Sequence, residues 1–181
     1  MKRENAVLEN HVIAFVDVHH YSIVATALGS EQWRFLQEMY ETLGEIIVAH
    51  SGEIIKYVGD GILSIFPDGA ENDAVQCALT LRKAFCDLAG RKALPPDTEL
   101  EVGLHSGQVA IGMFGHASLL QKDIMGDAVM WAMTIGHHRG VAITEPVYAR
   151  IKADYETRKL TEFKVKWQAE PSQIWEVVEP S

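Results

Sequence analysis

The pattern of apolar and polar positions is clearest around residue 60, where two short apolar runs rich in β-branched side chains flank a turn. The runs are Ile54–Val58 and Ile62–Phe66, and the turn between them is Gly-Asp-Gly, centred on Asp60. Because glycine tolerates the positive φ that a tight turn needs, this pattern predicts a β-hairpin with a carboxylate at its tip. A second carboxylate, Asp17, lies near the end of an earlier apolar run, Val12–Val18, which predicts a buried strand. A plain hairpin turn and a capping aspartate are the simpler interpretations of each carboxylate taken alone.

Between these segments, the spacing of apolar residues changes to that of amphipathic helices. One helix is predicted to begin near Ser30 and to end at Gly52, and a second to span 74–88 with Asn72 and Asp73 as its cap. The order βαββαβ, followed by a C-terminal β-hairpin region, predicts an α+β fold of the ferredoxin-like type, with helices on one face of a mainly antiparallel sheet. The later predicted segments are strands at Glu99–Leu104, Val109–Phe114, Val141–Thr144 and Gln173–Val178, helical segments at Ala128–Ile135 and Pro146–Ile151, and a loop over 115–122.

Composition and charge limit the classes of function. The chain has 181 residues, 48% hydrophobic and 23% charged, which predicts one globular domain over 1–181 with its core at about 10–178. The net charge of −9 argues against nucleic acid and against an anionic membrane as general partners. No apolar run is long enough for membrane insertion, and the first ten residues lack the apolar core of a secretion signal. Cys77 and Cys86 have no zinc-type spacing, and this cysteine usage predicts a cytoplasmic location.

Five motifs follow one another along the chain. They are FVDVHHYS (Phe15–Ser22), KYVGDGILSIF (Lys56–Phe66), GLHSGQVAIGMFG (Gly103–Gly115), DIMGDAVMWA (Asp123–Ala132) and a tail with Pro171 and IWEVV. In this order they resemble the motifs of the catalytic domain of class III nucleotidyl cyclases, although no single motif is specific. The resemblance covers nearly the whole chain, and it implies the cyclase fold and the formation of a cyclic nucleotide from a nucleoside triphosphate.

The resemblance implies a metal centre at the two carboxylates. Asp17 and Asp60 match the family's pair of aspartates that binds two divalent cations, Mg²⁺ or Mn²⁺, and the Val18 carbonyl matches a further ligand. Two such ions lower the pKa of a ribose 3′-hydroxyl and neutralise the triphosphate. At the helix entrance that follows, His19-His20 replaces the family's x-Gly. The residues there that are expected to bind phosphate through backbone N–H groups are His20, Tyr21 and Ser22.

Two further positions match the residues that recognise the base in the family's adenylyl cyclases. They are Lys56 and Asp123. Adenine offers a ring nitrogen that accepts a hydrogen bond from lysine and an exocyclic amine that donates to aspartate. A guanine site usually has an acid in place of the lysine, so the resemblance favours ATP over GTP. The alternative interpretations are a solvated strand lysine and an N-capping aspartate.

The chain departs from the family's pattern at two positions of the transition-state chemistry. Met130 replaces an asparagine that orients the ribose, and Thr134 replaces an arginine that stabilises charge on the transferring phosphate. A thioether is a weak acceptor and threonine carries no charge, so neither residue supplies the missing group. Arg139 is the nearest basic residue downstream and is expected to lie beyond the helix. The pair His137-His138 is interpreted as a surface turn.

Several functions remain open from the sequence. The first is an adenylyl cyclase that converts ATP to 3′,5′-cyclic AMP and pyrophosphate. The second is a catalytically silent nucleotide-binding pseudo-cyclase that acts as a signalling or dimerisation module. Class III sites form between two subunits, so a homodimer is one possibility, and a heterodimer in which a partner chain supplies the missing residues is another. More distant kinship to diguanylate cyclases is disfavoured, because the chain has GLHSG and GDAV segments and no GGDEF-like turn.

Overall fold

The protein is described from a computed structural model, which covers residues 6–160, 165 and 172–178. Pro171, part of the predicted closing motif, lies outside the described residues. The strands are β1 (Val7–Val18), β2 (Glu53–Val58), β3 (Gly61–Pro67), β4 (Leu100–His116), β5 (Leu119–Met125), β6 (Gly140–Thr144), β7 (Thr157–Lys159) and β8 (Ile174–Val177). The helices are α1 (Tyr21–Leu28), α2 (Gln32–Ala49), α3 (Glu71–Arg91), α4 (Asp127–Ile135) and α5 (Glu145–Ile151).

The strands form one sheet in the order β2-β3-β1-β4-β6-β8-β7, and β5 pairs with the far end of β4. Strands β4 and β6 pair in parallel, and the other pairings are antiparallel. The central pair, β1 with β4, is in register over the full length of β1. The predicted α+β fold with a mainly antiparallel sheet is therefore confirmed.

Helices cover both faces of the sheet. Because side chains of a strand alternate between faces, Val12 and Val16 of β1 lie in the core cluster that also contains residues of α1, α2, α3 and α5. Ile13 and Phe15 point the other way and pack with residues of α4. The expectation that all helices lie on one face is thus wrong for α4. This arrangement leaves α4 and the residues that follow it beside the end of β1 that carries Asp17.

The helices are amphipathic. Helix α2, for example, buries Phe35, Met39 and Leu43 while it exposes Trp33 and Val48. Among the described residues, none of the helices combines the length and the apolar character needed to cross a bilayer.

Two predicted strands are in fact one. Strand β4 continues through Ser106 and Gly107, because both residues stay paired with β1. The predicted loop over 115–122 is wrong except at residues 117 and 118, because β4 extends to His116 and β5 begins at Leu119 and turns back along β4. Most side chains of strand β5 are exposed, so its sequence does not need to alternate between polar and apolar residues. The hydrophobic pattern therefore does not predict this strand.

The helix starts also differ from the prediction. Helix α1 was not predicted, because its mostly apolar sequence of eight residues shows no clear 3.6-residue period. Helix α3 begins at Glu71 after the cap residue Ala70. Asn72 and Asp73 therefore lie in its first turn, where an acidic side chain interacts favourably with the positive end of the helix dipole.

Helix α4 packs closely against β4 at Gly103. A Cβ atom at this position would lie 2.2 Å from the carbonyl oxygen of Ala132 and 2.5 Å from the backbone nitrogen of Gly136. We expect Gly103→Ala to lower the free energy of unfolding by about 3 kcal/mol or more, because backbone atoms rather than a flexible side chain must move. Chemical denaturation checks this value. Gly90→Ala in α3 is the control, since a Cβ there meets nothing within 4 Å and alanine favours a helix. Equal destabilisation by the two variants would contradict the close approach.

Candidate active site

The turn of the β2–β3 hairpin holds Asp60 against the end of β1. The turn consists of Gly59, whose φ is +61°, and Asp60. The backbone N–H of Val18 donates a hydrogen bond to Oδ2 of Asp60 over 3.1 Å, and the Tyr40 hydroxyl of α2 donates to the Gly59 carbonyl. These bonds fix the turn at both of its residues. Asp60 consequently lies beside Asp17, as the sequence predicted for two carboxylates at strand ends.

The Asp60 carboxylate affects the ionisation of Asp17. The pKa of Asp17 is raised to about 6, mainly by burial and then by the Asp60 carboxylate, while His137 opposes the rise. A pair of ionised carboxylates is thus unfavourable here unless a cation neutralises it. Carboxylate oxygens are the ligands that Mg²⁺ prefers, and Mn²⁺ binds them as well, so this donor set fits a divalent metal ion.

Two residues that the sequence analysis did not select extend this acidic group. Glu101 lies directly opposite Asp17 in the β1–β4 pairing and is 4% exposed. One of its oxygens is 2.6 Å from Nδ1 of His19. His137 lies in an exposed turn after α4, as predicted, yet its Nδ1 is 3.0 Å from Oδ2 of Asp17. Glu101 occupies a polar position of a predicted alternating strand, but the register that sets it against Asp17 depends on pairing between distant segments.

Lys56 and Asp123 form a second group. The ammonium of Lys56 on β2 is 2.7 Å from Oδ2 of Asp123 on β5, and both side chains are partly buried. Next to them, Lys122 forms an ion pair with Glu53 on the same two strands. The two residues predicted to recognise the base therefore contact each other within one chain.

His20, Tyr21 and Ser22 lie at the start of α1. His20 is the residue before the helix and adopts the left-handed conformation, with a φ of 54°. Glycine adopts this conformation without strain, so a side chain here is held at a cost of about 1 kcal/mol. The Tyr21 hydroxyl is buried and lacks a hydrogen-bond partner among the described residues. Burial raises the pKa of Tyr21, and the Asp60 carboxylate raises it further, which places this ring near the acidic group.

The two replaced positions lie on one side of α4. Met130 is 43% exposed, and the Thr134 hydroxyl donates to its carbonyl over 2.6 Å. Arg139 forms an ion pair with Glu99 and lies 3.7 Å from a carboxylate oxygen of Asp97. The arginine nearest to α4 in sequence is therefore engaged in ion pairs elsewhere.

Comparison with known proteins identifies the family to which this site belongs. The family profile described as the adenylate and guanylate cyclase catalytic domain matches residues 4–177. The chain belongs to this family. Members of this cyclase family use divalent metal ions, bind nucleoside triphosphates and typically dimerise.

Individual relatives agree with this assignment. An adenylate cyclase from Anabaena cylindrica is 28% identical over an alignment of 180 residues. The alignment covers 91% of this chain and 36% of the relative. The chain thus spans about a third of that relative's length. Among solved structures, the adenylyl cyclase CyaB from P. aeruginosa superposes with a TM-score of 0.91 at 21% identity and 98% coverage of both chains. A guanylyl cyclase superposes with a TM-score of 0.86 at 19% identity, covering 98% of this chain and 96% of its own. At these identities the two structures show the shared fold, and they do not distinguish adenine from guanine.

Proposed function

We propose that this domain is an adenylyl cyclase, which converts ATP to 3′,5′-cyclic AMP and pyrophosphate. The observation that carries the proposal is the side-by-side position of Asp17 and Asp60 in a domain of the cyclase family. In the proposed reaction, the ribose 3′-oxygen forms a bond to the α-phosphorus while the bond from that phosphorus to the bridging oxygen breaks. Pyrophosphate is the leaving group, and the hydroxyl proton passes to solvent.

The carboxylates of Asp17 and Asp60, with the carbonyl of Val18, are proposed to hold two divalent cations, Mg²⁺ or Mn²⁺. When bound, such ions make the 3′-hydroxyl more acidic and neutralise charge on the triphosphate. The chain itself holds the Asp60 carboxylate in place before substrate arrives, because the Val18 N–H donates a hydrogen bond to it. Preorganised ligands of this kind need no rearrangement during the reaction.

The start of α1 is proposed to bind the triphosphate. Backbone N–H groups of the first turn of a helix have no partner within the helix, and the helix dipole favours an anion there. In this chain the groups belong to His20, Tyr21 and Ser22.

Lys56 and Asp123 are proposed to select adenine. Their ion pair must open to admit a base, after which Lys56 donates to a ring nitrogen and Asp123 accepts from the exocyclic amine. Guanine offers a ring N–H and a carbonyl at the corresponding edge, so it would leave both side chains mismatched. Buried groups left without partners are costly, and this cost supplies the preference for ATP.

Exchange of Lys56 for glutamate is expected to lower the ratio of ATP affinity to GTP affinity by about tenfold, or about 1.4 kcal/mol. The carboxylate accepts hydrogen bonds from the N–H groups of guanine and repels the acceptor nitrogen of adenine. Calorimetric titration with non-cyclisable analogues of both nucleotides measures the ratio. Lys122→Glu is the matched control, since it changes the same charge on the neighbouring ion pair. An unchanged ratio in Lys56→Glu would show that Lys56 does not recognise the base.

A second candidate function is supported by the replaced positions on α4. Met130 and Thr134 lack the hydrogen-bond donors that the resemblance leads one to expect, and Arg139 is engaged with Glu99. A homodimer would therefore lack these donors in both sites. In a heterodimer, this chain would bring its aspartates to a partner that supplies the donors, or it would act as a silent nucleotide-binding module.

Product analysis distinguishes these functions. Purified protein is incubated with ATP or GTP and with Mg²⁺ or Mn²⁺, and cyclic nucleotide is quantified by chromatography beside Asp17→Ala. Cyclic AMP that disappears in the variant supports the adenylyl cyclase, and cyclic GMP as the main product overturns the preference for ATP. No product, with metal-dependent ATP binding intact, favours the pseudo-cyclase. Activity that arises only on mixing with a second cyclase chain favours the heterodimer, and sedimentation of the chain alone reports whether it self-associates.

A further inference from the structure

The acidic group at the end of β1 includes an imidazole. One ligand atom from each of Asp17, Glu101 and His137 lies within 4.8 Å of the other two. The three residues come from β1, β4 and the turn after α4, so the fold rather than local sequence brings them together. Such a set of two carboxylates and one imidazole differs from the pair of aspartates considered above, because it offers a nitrogen ligand.

The carboxylates in this group face each other at an unfavourable distance. Residues directly opposite each other on antiparallel strands have Cβ atoms about 5 Å apart, and like charges at such positions are destabilising. Asp17 and Glu101 occupy such positions, and Asp60 adds a third carboxylate at the same end of β1. Glu101 is almost fully buried, where a carboxylate needs hydrogen-bond or cationic partners. The imidazole of His19 supplies one partner, and a cation between the carboxylates would supply the remainder.

His137 is oriented toward this group by packing. Its ring contacts Phe15 edge to face, with centroids 5.9 Å apart and an angle of 73° between the planes. Its Nδ1 points at Oδ2 of Asp17 although the side chain is 61% exposed. The neighbouring His138 behaves differently, since its Nδ1 lies 2.8 Å from the Arg139 carbonyl oxygen. His137 is therefore the residue to test, and His138 is its matched control.

We propose that Asp17, Glu101 and His137 together bind a divalent transition-metal ion, and that His137 makes the site select such an ion over Mg²⁺. Imidazole suits transition metals, whereas Mg²⁺ strongly prefers oxygen ligands and retains its water. The site lies within one chain and needs neither nucleotide nor a second subunit. It rests on the proposed function only through Asp17, which the two sites share.

An alternative role for His137 is that of a counter-charge, which would occupy the place of a metal ion and leave when one binds. The two roles predict opposite results. Removal of a ligand weakens binding of the metal, whereas removal of a competing positive charge strengthens it. A ligand role also discriminates between metals, whereas a counter-charge acts on all divalent ions alike.

The test measures binding of Mn²⁺ and of Mg²⁺ by calorimetric titration, without nucleotide, for wild type, His137→Asn, His138→Asn and Glu101→Gln. His137→Asn is expected to weaken Mn²⁺ binding by at least about tenfold and Mg²⁺ binding by less than about threefold, because only the nitrogen ligand is lost. Glu101→Gln is expected to weaken the binding of both ions, and His138→Asn to leave both unchanged. Pulsed electron paramagnetic resonance of bound Mn²⁺ should show coupling to a nitrogen nucleus that His137→Asn abolishes.

Three results would overturn the inference. They are tighter Mn²⁺ binding in His137→Asn, equal changes for Mn²⁺ and Mg²⁺, and an absence of nitrogen coupling in wild type. Asp60→Asn separates this failure from a failure of the proposed function. If metal binding depends on Asp17 and Asp60 but not on Glu101 or His137, the result supports a metal site at the two aspartates and contradicts the site formed by Asp17, Glu101 and His137.

Discussion

Met130→Asn combined with Thr134→Arg is expected to raise the rate of cyclic AMP formation at least about tenfold. The exchange supplies an amide and a guanidinium on the exposed side of α4, where the structure has a thioether and a hydroxyl that bonds back to its own helix. One donor aimed at developing charge is worth about 10²–10³ in rate, and the effects of two are often less than additive. Chromatographic measurement of product under saturating ATP and Mn²⁺ gives the rate.

The matched control for this repair lies on α3. Gln76→Asn with Thr80→Arg makes equivalent changes on another helix, at residues four apart in which the threonine also bonds back to the earlier carbonyl. This control should leave the rate unchanged. If the repaired protein folds and dimerises yet shows no gain, Met130 and Thr134 are not the positions at which the missing donors act.

Asp17→Asn is expected to have opposite effects on activity and on stability. Cyclic AMP formation should fall at least about 10²-fold, since a neutral amide is a poor ligand for a divalent cation. In metal-free buffer at pH 7, the free energy of unfolding should rise by about 1–2 kcal/mol. This value is smaller than the full pKa shift of Asp17 would give, because solvent reaches the carboxyl group and screens its charge. The stability gain arises because the amide does not carry the charge that burial and Asp60 make unfavourable.

The stability effect of Asp17→Asn should depend on pH in a defined direction. The pKa of Asp17 is about 6 in the folded protein against an ordinary value of 3.8, so the folded state binds the proton more tightly. Wild type therefore loses stability as pH rises from about 4 to about 6. The advantage of Asp17→Asn should be near zero below pH 4 and reach its plateau above pH 6. Denaturation at a series of pH values, beside the exposed α3 variant Asp87→Asn, measures it. A pH-independent gain would mean that the charge is not its cause.

The sequence predicted the central part of the site because that part depends on local pattern. Asp60 lies in a two-residue turn between apolar strands, and Asp17 lies near the end of an apolar strand. The resemblance to the cyclase family then placed the two aspartates in one site. Their proximity follows from the antiparallel pairing of β1 with β3, which sets the hairpin turn beside the end of β1.

The remainder of the site depends on pairings between distant segments. Glu101 meets Asp17 only because β1 and β4 pair in one particular register, and a shift by one residue would turn Glu101 to the other face. His137 reaches Asp17 because α4 packs on the face opposite the other helices, which its sequence does not specify. Strand β5, which carries Asp123, was missed as a strand because its exposed side chains lack alternation. Only the family's motif indicated the role of Asp123.

The carboxylate of Glu99 connects α3 with the segment that follows α4. Glu99, just before β4, forms an ion pair over 3.0 Å with Arg82 of α3 and a second ion pair with Arg139, which follows α4. His137, which reaches Asp17, lies two residues before Arg139. Ion pairs through Glu99 therefore connect α3 with the segment that carries His137. We expect a partner that displaces Arg82 to change the affinity of the acidic group for its ion, and by reciprocity the bound ion would change that partner's affinity by the same factor.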